Sequence, residues 1–326
     1  MTFVRGLVDG SRKDESDSER KTMTTAFYSD LTENSRRTWF WALFILLPVF
    51  FIGGQLTVLL PAKFANFVTR ENVETYPTIL YFLVASFGAS FGILWLWLRF
   101  FERRSLASVG LAFDSSLKRY FPGGFATGLL MASASVLGVW LVGGYMLERP
   151  QDFALVSYGP ILLLGLAFIV QSSVEEILFR GWMLSRLTER FGIWTGVLGN
   201  STLFMLMHIE GIGGEGFDPL VFAIFTFMTM AFSIFVSFLS IRQKSVWGAC
   251  AWHAAWNWSF ITWFGLPTTG IALDVKPLWV DLMIKTGAPD WLSGGAEGPE
   301  NSAITGMVLI VACLLAYHGL KKKTQD

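Results

Sequence analysis

Five ionisable side chains and one amide sit inside stretches of this sequence that are otherwise apolar. They are Glu175, Glu176 and Arg180 in SSVEEILFRGW, His208 in MLMH, and His253 with Asn257 in WHAAWN. Charged groups at membrane depth are costly and turn toward protein or water, which makes them candidates for function. A carboxylate and a histidine sharing one water can activate it, because burial raises the carboxylate's proton affinity toward neutral pH. A second histidine with an asparagine amide can hold the oxyanion formed when that water attacks a carbonyl. Together these groups could hydrolyse a peptide bond without a covalent intermediate. One carboxylate and two histidines (Glu175, His208, His253) could equally form a zinc site with an open position for water, although the chain has no H-E-x-x-H. A serine or cysteine nucleophile is poorly supported: Ser172 and Ser173 lack a partner pattern, and neither Cys250 nor Cys313 adjoins a histidine.

Spacing assigns partners. Glu176 and Arg180 stand i,i+4 and can neutralise each other along one helix face, the planar guanidinium holding a carboxylate without losing its proton. Glu175 lies about 100° round the helix and is free to act as a base. Asn200, Phe204 and His208 form one stripe. His253 and Asn257 are again i,i+4, and the small Ala254 and Ala255 permit a close neighbouring helix. The plain alternatives are a structural ion cluster and two hydrogen-bonded histidines. His318, beside the Lys321–Lys323 run, reads as an interfacial residue without a chemical role.

These groups need helices that cross a bilayer. The 326 residues are 53% hydrophobic and 15% charged, with a mean hydropathy of +0.50, whereas a soluble domain is roughly a quarter charged. The expected fold is all-α, a polytopic transmembrane helix bundle of eight spans at about 39–61, 77–98, 120–145, 158–185, 193–210, 219–241, 246–266 and 302–319. With the N-terminus inside and Arg180 assigned to the membrane, 19 Lys/Arg fall on cytoplasmic segments against 5 outside, so the topology reads N-in, C-in. The division is a polar cytoplasmic tail (1–38), a transmembrane domain (39–320) with its catalytic core at about 158–266, and a basic C-terminus (321–326). The tail carries seven Lys/Arg and seven Asp/Glu and reads as partly disordered, without a cleavable signal peptide. The Gly/Pro-rich stretch 267–301 reads as a loose outer loop or a lid, and 105–116 as a segment along the inner surface. Two cysteines in apolar runs make a disulfide framework unexpected. Zero net charge points to no nucleic-acid partner. If span 4 runs on to about Leu187, Glu175 lies deep enough to meet His208 and His253, in a site open toward the cytoplasm.

In order, E-E-x-x-x-R (Glu175, Glu176, Arg180), F-x-x-x-H (Phe204, His208) and H-x-x-x-N (His253, Asn257) resemble the CPBP family. These are the CAAX-protease and bacteriocin-processing intramembrane endopeptidases, which include the Rce1-type prenyl-protein proteases. The resemblance covers about 170–260. It implies a helical bundle with a site in the membrane accessible from the cytosol, with Glu175 activating water beside His208, and His253 and Asn257 as the oxyanion hole. It also implies a membrane-embedded or lipid-anchored protein or peptide as substrate. The location is the bilayer of a bacterial plasma membrane, or of the endoplasmic reticulum if the source is eukaryotic. A metal-free, glutamic-type mechanism is preferred to zinc, with no other cofactor. The rival readings are a non-catalytic membrane adaptor or bacteriocin-immunity protein of the same fold, and a proton-coupled transporter.

Overall fold

The computed structural model describes residues 28, 34–73, 75–149, 158–209, 218–273 and 275–323; most of the 1–38 tail lies outside them. Among the described residues eight helical rods follow in chain order. They are α1 (Phe40–Phe64), α2 (Tyr76–Glu102), α3 (Ser115–Leu141), α4 (Tyr158–Phe191), α5 (Ile193–Leu206), α6 (Pro219–Gln243), α7 (Trp247–Phe264) and α8 (Ala303–Lys323). They fall on the eight apolar stretches expected. Six of them are long and apolar enough to cross a membrane. The α5 rod has only 14 residues, and α7, rich in tryptophan and interrupted by His253 and Asn257, is not among the six.

Local chemistry sets the ends. Asp114 caps α3 by accepting from the Ser116 amide at 2.8 Å, and Asp218 caps α6 by accepting from the Leu220 amide at 2.8 Å, with Pro219 at the first helical position. A turn at Gly192, with φ +84°, folds α5 back along α4; a side chain there would be strained.

Packing separates centre from periphery. In α4, 61% of the most apolar window is buried, against 22–44% in the other five long helices, and nearly all of α7 is buried too. Contact between α3 and α7 is close because Gly124 and Gly128 lie against the Gly248 and Trp252 carbonyls, the latter also near Ala255. The outer faces carry exposed Ile45, Leu130, Leu141, Leu314 and Leu315. Exposed Trp39, Trp41 and Trp194 mark one end of the bundle and Trp140, Trp279 and Trp291 the other, the pattern of interfacial aromatic belts.

Four π-helical turns interrupt the rods: Val49–Gly53, Phe82–Ser86, Trp97–Glu102 and Ile177–Met183. Such turns recur at functional sites, and the last begins immediately after Glu176. The loop between α7 and α8 is folded. Its β2 (Asp281–Ile284) pairs antiparallel with β1 (Tyr145–Arg149) after α3, Tyr145 donates to the Ser293 carbonyl at 2.5 Å, and Thr305 donates to the Pro299 carbonyl at 2.6 Å. Neither is the 105–116 segment a surface strip: Ser108 and Val109 are buried, and Gly181 lies against the Val109 carbonyl.

A second ionic centre stands at the other end of the bundle. Glu102, fully buried, accepts from Arg186 Nη2 at 2.5 Å, Trp182 Nε1 at 3.0 Å and Thr38 Oγ1 at 2.5 Å. Arg104 pairs with Glu189 at 2.9 Å. The expected α2 boundary near residue 98 left Glu102 outside the membrane set; the terminal π turn carries it inward. Three of the arginines counted as cytoplasmic charge, Arg104, Arg186 and Arg190, in fact bind protein here, Arg190 through the Thr38 carbonyl.

Candidate active site

Helix geometry brings the expected residues to one level. Glu175 precedes Phe191 by 16 residues and His208 follows Gly192 by 16. At about 1.5 Å per residue, each stands roughly 24 Å from the turn, on adjacent antiparallel helices. Glu175, Phe204, His208, His253 and Asn257 line one cavity of about 360 Å³. Apolar residues of α1 and α2, among them Phe51, Phe82 and Phe87, complete its side, and the first two of these lie on π turns.

Glu175 is held from two directions. Gln171, one turn earlier, donates through Nε2 to its Oε1 at 2.8 Å, and His253 Nε2 lies 3.9 Å from its Oε2. Gln171 in turn accepts through Oε1 from Ser172 Oγ at 2.9 Å and from Asn257 Nδ2 at 3.3 Å. This glutamine lines the cavity and is left out by the motifs. Its i−4 spacing from Glu175, on the same helix face, was a legible signal.

The Glu176–Arg180 pair forms as its spacing demanded, at 3.2 Å with both side chains fully buried. Two further features tie it to the site. His253 donates through Nδ1 to Glu176 Oε1 at 2.8 Å, so this histidine spans both carboxylates. The Arg180 guanidinium lies over the Phe204 ring, 4.2 Å from its centroid, and Phe204 packs against His208 at 4.2 Å. The Phe204 of the motif is therefore a spacer between the cation and the histidine. His208 donates through Nδ1 to the Phe204 carbonyl at 2.7 Å, a bond that leaves its Nε2 as an acceptor.

From the tail, Tyr28 is buried against this machinery. Its hydroxyl donates to the Arg180 carbonyl at 3.2 Å, its ring covers Gly110, and burial pushes the phenol's pKa up. Outside the site, Cys250 and Cys313 are free thiols and His318 is exposed.

Glu175, His208 and His253 share a cavity, yet among the described residues no three His, Cys, Asp or Glu side chains converge as a metal-ligand set. The Nδ1 atoms of both histidines are committed to protein acceptors, and Glu175 is bound by Gln171. That leaves Nε2 of each histidine without a hydrogen-bonding partner, an arrangement that suits proton transfer and metal ligation alike.

Thr268, Thr269, Ile271, Glu297, Glu300 and Asn301 of the α7–α8 loop form one wall of the cavity.

Residues 157–259 match the family described as type II CAAX prenyl endopeptidase Rce1-like. This segment of the chain is similar to that family. The match contains α4, α5, α6 and the part of α7 bearing His253 and Asn257, and so includes Gln171, Glu175, Glu176, Arg180, Phe204, His208, His253 and Asn257. No curated protein matches the chain. Six helices long and apolar enough to cross a membrane accompany the matched segment; α1, α2 and α3 lie before residue 157 and α8 lies after residue 259, outside it.

Proposed function

We propose that this chain is an intramembrane endopeptidase that cuts a peptide bond in a membrane-embedded or lipid-anchored protein or peptide. The observation that carries this reading is Glu175, which is oriented by Gln171 and His253 at the wall of a cavity it shares with His208 and Asn257. Glu175, with the free Nε2 of His208, accepts a proton from a water molecule whose oxygen adds to the scissile carbonyl carbon. His253 and Asn257 donate to the oxyanion of the resulting tetrahedral intermediate. When the C–N bond breaks, the proton taken by Glu175 passes to the leaving amine. Glu176 stabilises a protonated His253 by accepting from its Nδ1, which leaves the Nε2–H for the oxyanion, and Arg180 fixes Glu176. The mechanism is of the glutamic type, without metal. The 1–38 tail, the 39–320 bundle and the basic 321–326 end form one functional unit, with catalysis in about 158–266. The lysine and arginine distribution puts the polar tail in the cytoplasm.

The test compares membrane proteins and peptides from cells carrying the wild type or Glu175→Gln at equal levels. Accumulation of one or a few uncut membrane-associated species in the variant is expected. Identical profiles would instead favour a non-catalytic adaptor of the same fold. Cleavage by purified protein should survive a zinc chelator; loss of activity with recovery on added zinc would overturn the metal-free mechanism.

A further inference from the structure

The loop wall of the cavity has a chemistry that proton transfer at Glu175 does not use. Glu297 and Glu300 face the same space as Glu175 and His253, and among the described residues no Lys, Arg or His forms an ion pair with either of them. The nearby cation Lys276 is engaged with Asp281 at 3.5 Å. Glu300 is set in position by the Thr269 amide and by Thr269 Oγ1, which donates at 3.0 Å. Beside it Asn301 is only 4% exposed and lines the same cavity. Its Oδ1 is buried without a hydrogen-bond partner. A buried acceptor left unpaired is destabilising, and half-buried carboxylates without an ion-pair partner are more so. Burial raises the proton affinity of both glutamates; at Glu300 the Thr269 donors and the charge of His253 oppose this, and the Glu297 charge adds to it. Two carboxylates and an unpaired amide oxygen thus line one side of the cavity, Glu300 also accepting from Thr268 Oγ1 at 3.4 Å, while Phe51, Phe82 and Phe87 line another.

We propose that Glu297, Glu300 and Asn301 form a cation-accepting subsite, so that the peptide cut at Glu175 is an apolar segment with a lysine or arginine side chain near its scissile bond. The inference rests on the protease reading for the word "cut", and on the loop geometry alone for the subsite. An ammonium or guanidinium would supply the missing donors as charge-assisted hydrogen bonds. A substrate recognised only through its carboxylate terminus would meet repulsion at this wall.

Binding to full-length Glu175→Gln protein in lipid nanodiscs separates the two readings, since no cleavage is needed. The probes are fluorescent, N-acetylated apolar peptides that carry a single lysine, norleucine or glutamate at successive positions, with one norleucine peptide left with a free α-amine. The lysine peptide should bind about tenfold tighter than its norleucine partner at one or two positions, the size of one charge-assisted hydrogen bond. Glu297→Gln, which leaves the Thr269 contacts of Glu300 intact, should cut that ratio to about threefold or less, and Glu300→Gln should do so independently. Equal affinities for lysine, norleucine and glutamate peptides would overturn the subsite. So would a preference that persists in both variants, or one shown only by the free α-amine. If the preference holds but wild-type protein cuts none of the peptides, or Glu175→Gln protein cuts them as well, the subsite stands and the protease assignment falls.

Discussion

Two ionic centres are buried in this bundle, their arginines Arg180 and Arg186 six residues apart on α4, and they are built to opposite ends. Around Glu102, Arg186 donates from two nitrogens, with Trp182 and Thr38 completing the shell; Arg104 Nε is the one nitrogen there without a hydrogen-bond acceptor. Around Glu176 the shell is partial: one oxygen receives both Arg180 and His253, while the other oxygen and the Nε and Nη2 atoms of Arg180 have no protein partner. The Glu102 centre joins α2, α4 and the segment before α1, and borders none of the cavity that Glu175 lines. Its neighbour abuts that cavity through His253. A saturated ion cluster fixes helices, and an unsaturated one beside a cavity keeps groups available for a reacting molecule. The difference teaches that a buried carboxylate and arginine in a greasy helix do not by themselves identify chemistry; the unspent hydrogen-bonding capacity does.

Paired variants break or sharpen this contrast. The largest effect is expected on activity at one centre and on stability at the other. Glu175→Gln should reduce cleavage by roughly a thousandfold or more, the scale of losing a general base and its electrostatics, with an unchanged unfolding midpoint in detergent. Glu102→Gln should do the reverse. Stranding Arg186 should lower unfolding free energy by about 3–5 kcal/mol, and the folded fraction should keep its specific activity. Should Glu102→Gln protein fold normally yet lose turnover, the division between the two centres is wrong.

Arg180→Met tests the partial shell. It removes the cation while keeping an apolar contact with Phe204, so the loss of stability should stay near 1–3 kcal/mol. Turnover should fall through kcat, because Glu176 and His253 lose their fixed charge. The smallest effect is expected at Tyr28, where Tyr28→Phe removes one hydrogen bond to the Arg180 carbonyl. A loss of about 1 kcal/mol in unfolding free energy is expected, with a modest drop in activity; no change in either would make the tail a bystander.

Much of the site was legible in the chain. Glu176 and Arg180 meet because four residues make one turn. Glu175 and His208 share a level because equal lengths of helix lead away from Gly192. Both follow from local geometry. Gln171 was equally local, and went unread because an amide does not stand out as a charge does. The Glu102 centre was hidden for another reason: a carboxylate at a helix end looks solvated until Trp182 and Arg186, some 80 residues later, fold over it.

The sequence by itself determined a membrane-spanning helical bundle, the order of its eight rods and the three motif-bearing helices, since hydropathy and helical periodicity act within a single segment. Only the tertiary structure decided that His253 bridges the two carboxylates, that the Phe204 ring packs against both Arg180 and His208, and that the 267–301 loop is a folded wall bearing Glu297, Glu300 and Asn301. Those are contacts between segments far apart in the chain. They depend on the side-by-side register of packed helices, which small residues such as Gly124 and Gly128 permit and which no single segment encodes.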